Sequence, residues 1–240
     1  MTTTDSVACE LLEWDTAFWG FPVARVTGVL TAEEARAADR WCIENGARVL
    51  FALVEAADKE SRQVAETSGF AEVDSRITLR QAAGERRRTR DPRIREARDS
   101  DREALARIAR TAHATTRFYH DPHFDPDRCG ELYARWILSA CDGAEAILVA
   151  DDGGCVGYLS LDLDPERGVG RLALLAVESS RQREGLGRAL VEAGIELLES
   201  RGAHELEVVT QERNAAALHV FERAGFIRDR AELWFHKWYD

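Results

Sequence analysis

Apolar and polar positions along this chain repeat with two different periods, and the switches between them predict an ordered series of helices and strands. Thr31-Ala32-Glu33-Glu34 has the spacing of a capping box, in which a Thr hydroxyl and a Glu carboxylate satisfy backbone amides at a helix start. Ala35, Ala38, Trp41 and Cys42 mark one face of that helix. Residues 49–54 read as a buried strand, a second helix ends at Gly69, and residues 76–80 read as another strand. Further on, Ser100-Asp101-Arg102-Glu103 predicts another capping box, leading a helix with Leu105, Ile108, Ala109 and Ala112 inward. Residues 115–129, with Pro122 and Pro126, read as loop, and a helix follows through Tyr133, Trp136 and Ile137. Two strands, 147–150 and 155–161, are joined by Asp151-Asp152-Gly153-Gly154, a hairpin signal.

The continuous apolar run Leu172-Ala173-Leu174-Leu175-Ala176-Val177 suits a strand buried on both faces, central in its sheet. An amphipathic helix follows, with Leu186, Leu190, Ala193 and Leu197 on one stripe and its end near Gly202. Residues 205–210 alternate like a strand, and Asn214 is a candidate N-cap for a last helix before a final strand.

Between Gly84 and Arg98 the pattern lapses into an arginine-rich, proline-containing stretch. It predicts a small amino-terminal α/β domain over 1–83, a linker over 84–92 and a larger domain over 93–240. Val64-Ala65-Glu66-Thr67-Ser68-Gly69-Phe70 resembles Val220-Phe221-Glu222-Arg223-Ala224-Gly225-Phe226. That leaves two readings of the first domain: a degenerate copy of half of the second, or a chance likeness of helix ends.

Composition narrows the class. With 240 residues, 45% of them hydrophobic, the chain can build a sizeable core. A net charge of -11 argues against binding nucleic acid, which needs a basic footprint, and inclines toward a cationic partner. No apolar run approaches the ~20 residues of a membrane helix, and residues 1–5 lack signal-peptide character, so a cytoplasmic protein is expected. Five scattered cysteines lack the close pairs of metal or redox motifs, which predicts reduced thiols and no metal.

The chemistry concentrates in Gln182-Arg183-Glu184-Gly185-Leu186-Gly187, directly behind the apolar strand and opening a helix. A helix start leaves about four amides without intrahelical partners and carries roughly half a positive charge. Gly185 and Gly187 let phosphate oxygens approach that backbone, and Arg183 and Arg188 add charge from the sides. The pattern is neither Gly-x-Gly-x-x-Gly nor a Walker loop, which disfavours dinucleotides and nucleoside triphosphates.

Gln-x-x-Gly-x-Gly after a buried strand resembles the signature of the GNAT acyltransferases. Asn214-Ala215-Ala216-Ala217-Leu218 and Ala224-Gly225-Phe226 resemble that family's second signature segment. The resemblance implies the GNAT fold, a mixed and largely antiparallel sheet flanked by helices. It also implies acetyl-CoA as acyl donor: its pyrophosphate on residues 182–188, its pantetheine against Leu175, Ala176, Val177 and Asn214, and its thiol end near Phe221. Leu12-Glu13-Trp14-Asp15-Thr16-Ala17-Phe18-Trp19-Gly20, Arg117-Phe118, Tyr133-Ala134-Arg135-Trp136-Ile137 and Gly157-Tyr158-Leu159-Ser160-Leu161 resemble the TDP-fucosamine N-acetyltransferases more narrowly. That likeness implies acetylation of the amine of a nucleotide-linked amino sugar.

In one place the chain departs from those relatives. Seven residues after the motif asparagine they carry a tyrosine that protonates the departing thiolate, and this chain has Phe221. Three readings follow: another donor such as Tyr119, His120 or water substitutes, the thiolate leaves unprotonated, or the chain binds acyl-CoA without efficient transfer. Glu178 is a candidate base, and His113, His120 and His123 lie near the expected acceptor site. Other amines, a protein substrate, an acyl-carrier substrate and a homodimer stay open.

Overall fold

The computed structural model describes residues 8–84, 91–144 and 146–240. The chain folds into two compact units, one of residues up to Arg76 together with Arg230–Asp240, the other Ile77–Asp229. Residues 85–90 of the expected linker lie outside the described residues.

The first unit contains β1 (Ala8–Leu11), α1 (Glu13–Trp19), β2 (Val23–Thr27), α2 (Ala32–Glu44), β3 (Val49–Glu55) and α3 (Lys59–Thr67). It also holds the start of β4 (Ala71–Ala82) and most of β10 (Ile227–Trp238). Its strands run in the order β1-β2-β3-β10, with β2 and β3 parallel across the α2 crossover and the other two pairings antiparallel. The capping box at Thr31 forms as its spacing predicts, with Glu34 amide donating to the Thr31 hydroxyl and Thr31 amide donating to the Glu34 carboxylate.

Assigning all of 93–240 to one domain is where the sequence division and the structure differ. Residues Glu232 to Trp238 pair antiparallel with β3, and Leu233 and Phe235 enter the first unit's apolar core. Lys237 Nζ donates to Asp39 Oδ1 at 2.6 Å and to the Ser68 carbonyl at 2.7 Å. This closure joins positions nearly the whole chain apart, which no local pattern reports.

The second unit holds the rest of β4, β5 (Ile94–Glu96), α4 (Arg102–Ala112), α5 (Arg117–His120), α6 (Pro126–Gly143), β6 (Ala146–Asp151), β7 (Cys155–Asp164), β8 (Val169–Val177), α7 (Leu186–Ser200), β9 (Glu205–Gln211) and α8 (Ala215–Ala224). Strand order is β4-β9-β8-β7-β6-β5. The meander from β5 to β8 is antiparallel, and β9 joins β8 in parallel through α7. The β6–β7 hairpin turns on Gly153 and Gly154, both at positive φ, and Gly154 amide donates to Asp151 Oδ1.

Two helix starts differ from expectation. Asp101, not Ser100, stands at the N-cap position of α4 and makes no side-chain bond to that helix; its carboxylate accepts instead from the Arg98 amide of the preceding turn and is gripped by Arg95. Pro126 does not extend the loop but opens α6 after the Asp125 cap, a position where a missing N–H costs nothing.

The apolar run of β8 is also not buried on both faces. Ala173 is exposed, and Leu174, Leu175 and Val177 are half-buried. Leu175 and Val177 pack against the apolar core and also line an opening beside the sheet. Opposite them, Gly157 on β7 is required by the closeness of β8, since a Cβ there would sit 2.9 Å from the Ala176 carbonyl oxygen. Gly157→Ala should therefore cost about 1–3 kcal/mol, seen as a lower urea midpoint at unchanged slope.

Candidate active site

The opening begins with a fault in strand pairing. From Leu161↔Leu172 to Leu159↔Leu175 the register between β7 and β8 slips, placing Ala173 and Leu174 opposite the single residue Ser160. The Ser160 hydroxyl accepts the Leu174 amide at 3.0 Å. A bulge of this kind bends its strand and sharpens the local twist. The parallel ladder between β8 and β9 ends at the same place, with Leu172↔Val208 as its last pair. Beyond it the two strands part, and backbone groups on their facing edges are left for another partner.

Two clefts meet at this parting. The larger, about 370 Å³, runs from Leu175, Ala176 and Val177 to the start of α7. Gly185 caps that helix at φ 82° and, having no side chain, gives none of the first amides a side-chain acceptor. Gly187 is informative for a different reason. Its Cβ would meet no protein atom closer than 3.9 Å, so packing does not demand glycine there. A bare backbone at an open helix start is explained by what must approach it, and an anion suits amides carrying the positive end of the helix dipole.

Charge in this cleft is sorted. Arg181 is committed to Glu184 and Asp152, and Arg188 to Glu192 at 2.7 Å. Arg183 has no ion-pair partner among the described residues and is the one described non-glycine residue at positive φ, 66°. A residue held in the left-handed region at about 1 kcal/mol is a sign of a functional constraint. Gln182 Nε2 donates to the Val177 carbonyl at 3.2 Å, tying the loop back to the strand. Of the residues expected to hold the donor, all but Glu184 and Phe221 line this cleft. Glu184 turns to Arg181, and Phe221 lines the second cleft.

The second cleft, about 150 Å³, lies between the parted strands and shares Leu175, Asn214 and Ala217 with the first. Asn214 caps α8 by accepting the Ala217 amide at 3.2 Å, leaving its amide group to the junction. Tyr133 and Trp136 from α6 form an aromatic wall, edge to face at 5.1 Å, and Thr116, Thr210 and Gln211 add neutral polar groups. Among the described residues, no Asp, Glu, Lys or Arg lines this space. His113 does, stacked on Tyr133 at 4.6 Å, with Nε2 2.9 Å from the Tyr158 hydroxyl. Burial lowers the His113 pKa to about 4, so the imidazole is neutral at physiological pH. Burial also pushes the Tyr158 phenol well above its usual range.

The profile of the acetyltransferase (GNAT) family matches residues 105–226, just over half of the chain. The chain belongs to the GNAT acetyltransferase family. Its fold is the GNAT fold: a GCN5-related N-acetyltransferase from Sphaerobacter thermophilus superposes with a TM-score of 0.71 at 15% identity, covering 97% of this chain and 76% of that one. Among sequence relatives, the spore coat polysaccharide biosynthesis protein SpsD of Bacillus subtilis is 28% identical over 141 residues, 58% of this chain and 48% of that protein. A mycothiol acetyltransferase of Clavibacter michiganensis is 38% identical over 103 residues, 42% of this chain and 33% of that protein. The matched stretch thus spans half or less of either relative.

Acetyl-CoA is the family's acyl donor, and the open amide cradle with its unpaired Arg183 fits a pyrophosphate. When bound it supplies an activated acyl group to be passed to a nucleophile. The backbone from Arg183 to Arg188 would hold the phosphates, and the apolar edge of β8 with Asn214 would hold the pantetheine. None of these acts by covalent chemistry.

The expected catalytic side chains stand elsewhere. Glu178 directly follows β8, but its carboxylate pairs with Arg107 at 2.6 Å and lines neither cleft. Tyr119 turns its hydroxyl to the Arg110 carbonyl, 3.5 Å away, and burial raises its pKa. His120 is exposed, its pKa lowered by partial desolvation and then by Arg213. His123 is tied to Asp121 at 2.8 Å. Phe221 is buried at 3% exposure in the wall of the second cleft, edge to face with Phe226. His113 was legible only weakly: four residues after Ala109, it continues the inward stripe of α4.

Two outcomes test this geometry. Gly187→Glu puts a carboxylate at the cradle without touching packing, so CoA affinity measured by calorimetry should fall more than about 100-fold while the melting temperature stays within a few degrees. The second concerns pH. His113 stays unprotonated in the fold down to about 4, whereas in the unfolded chain it takes a proton near 6.5. Between those values the unfolded state binds more protons, so this contribution to stability is complete above pH 6.5 and is lost as pH falls toward 4. His113→Gln should flatten that part of the stability profile by on the order of 2 kcal/mol.

Proposed function

We propose that this protein transfers the acetyl group of acetyl-CoA to the primary amine of a small molecule, with a nucleotide-linked amino sugar as the acceptor of first choice. The observation that carries the reading is the second cleft, which shares Leu175, Asn214 and Ala217 with the larger cleft and has no Asp, Glu, Lys or Arg among the described residues that line it. An ammonium group entering such a space loses solvation and gains no carboxylate, which lowers its pKa and favours the free amine that can attack. Tyr133 and Trp136 offer flat apolar faces, and Thr116, Thr210 and Gln211 offer hydrogen bonds. That combination suits a sugar ring better than a polycation. It outweighs the overall charge of -11, which inclines toward cationic partners.

The sugar assignment is supported by the likeness to TDP-fucosamine N-acetyltransferases and by one relative's name in polysaccharide biosynthesis. A cytoplasmic location is part of the same proposal; among the described residues no helix is long and apolar enough to cross a membrane. So is the role of the first unit as a degenerate half-GNAT partner, supported by α3 and α8 each ending in a glycine at positive φ before a strand. Phe221 favours a second reading, an acyl-CoA-binding protein without turnover.

Radiolabelled acetyl-CoA offered with a panel of nucleotide-linked amino sugars, amino acids, polyamines and aminoglycosides separates these. Label on an amino sugar, with polyamines at least about tenfold poorer in kcat/KM, is the expected outcome. Label only on polycationic acceptors would sink the sugar assignment, and CoA binding with no label anywhere would leave the binding protein.

A further inference from the structure

We infer that His113 is the proton carrier of acyl transfer, held in place by Tyr158, and that it makes a hydroxyl at position 221 unnecessary. The inference rests on the amine-acetylation reading above. Of the described side chains lining the second cleft, His113 is the one with a basic nitrogen lone pair to take a proton. The alternatives are Tyr133, a phenol, and groups with no basic lone pair. At the junction of the clefts, Leu175, Ala217 and Asn214 bring an amide and apolar atoms but no acid or base.

The surroundings of His113 define its chemistry. Tyr158 faces it from β7 at 2.9 Å and Tyr133 from α6 at 4.6 Å. Thr116 faces its own backbone, donating from its hydroxyl to the His113 carbonyl. No carboxylate or cation is paired with the ring among the described residues. Nδ1 has no hydrogen-bond partner among them, so it is the nitrogen left to the cleft. Tyr158 is fully buried and contributes a hydroxyl that both donates and accepts, so it answers Nε2 in either tautomer and in the imidazolium.

The proton balance closes on this one ring. As the amine nitrogen bonds to the acyl carbon, His113 takes its proton at Nδ1. As the carbon–sulfur bond breaks, the ring returns that proton to sulfur, giving amide and free thiol with the imidazole as it began. A weakly basic imidazole suits the second half, because it holds the proton loosely. Tyr158 is a positioning residue, touching only the ring.

The test has two arms. In the first, His113→Gln and His113→Ala are assayed on an amine that the wild-type protein acetylates. The expected result is a kcat about 100-fold lower or less, with CoA affinity within about threefold of wild type, and partial recovery of His113→Ala by added imidazole. Rescue is a response that a merely structural histidine does not give. A kcat within threefold of wild type in both variants, or loss of kcat that imidazole does not restore in a protein still binding CoA, overturns the inference. The second arm needs no turnover: protein labelled with 15N-histidine is titrated with CoA and with desulfo-CoA, and His113→Gln identifies the resonance. A His113 ring shift that requires the sulfur is expected, and an equal response to both ligands, or none, overturns the inference. Should no amine be acetylated, the amine reading fails and the resonance arm alone decides on His113.

Discussion

The site depends on one constraint of the backbone: β8 cannot pair with β9 beyond Leu172. The extra residue opposite Ser160 bends the strand where the parallel ladder stops, and the Ser160 hydroxyl secures the bulge by accepting the Leu174 amide. A sheet left unpaired in its middle would ordinarily be a defect, since edge amides and carbonyls away from water need partners. Here the parting supplies a slot with hydrogen-bonding edges and apolar sides. The donor cradle, the acceptor cleft and the exposure of Ala173 all follow from it.

The electrostatics divide along the same line. The larger cleft gathers helix-start amides and arginines, two of them restrained by carboxylates and Arg183 without an ion pair among the described residues. The second cleft has no Asp, Glu, Lys or Arg among the described residues that line it, and sets the half-buried His113 against the buried Tyr158. An anionic cofactor arm and an amine that must lose its proton make opposite demands. The parted sheet keeps them apart by a few residues of β8, and the protein's net negative charge has little to do with either.

Much of the second unit was legible because its signals are local. The β6–β7 turn, the apolar run of β8 and the open start of α7 each depend on residues within a helix turn or a hairpin of one another. The misread helix starts had competing local signals: Ser100 and Asp101 are both capping residue types, and Pro126 serves equally to end a helix and to begin one. The return of β10 to the first unit was not legible, since pairing with β3 is a property of two segments far apart in sequence.

The sequence by itself determined the glycine-bearing turn behind β8 and the helix it opens, because such a turn is built from consecutive residues and glycine's missing side chain is written in the letters. It also determined that position 221 carries no hydroxyl. The stand-in proposed for that hydroxyl rests on tertiary structure alone. Glu178, Tyr119 and His120 are as chemically capable as His113, but Arg107, the Arg110 carbonyl and solvent claim them. His113 owes its neutrality to burial and its setting to Tyr158, 45 residues away. Desolvation and a distant partner set a side chain's role, and neither is encoded by its neighbours in the chain.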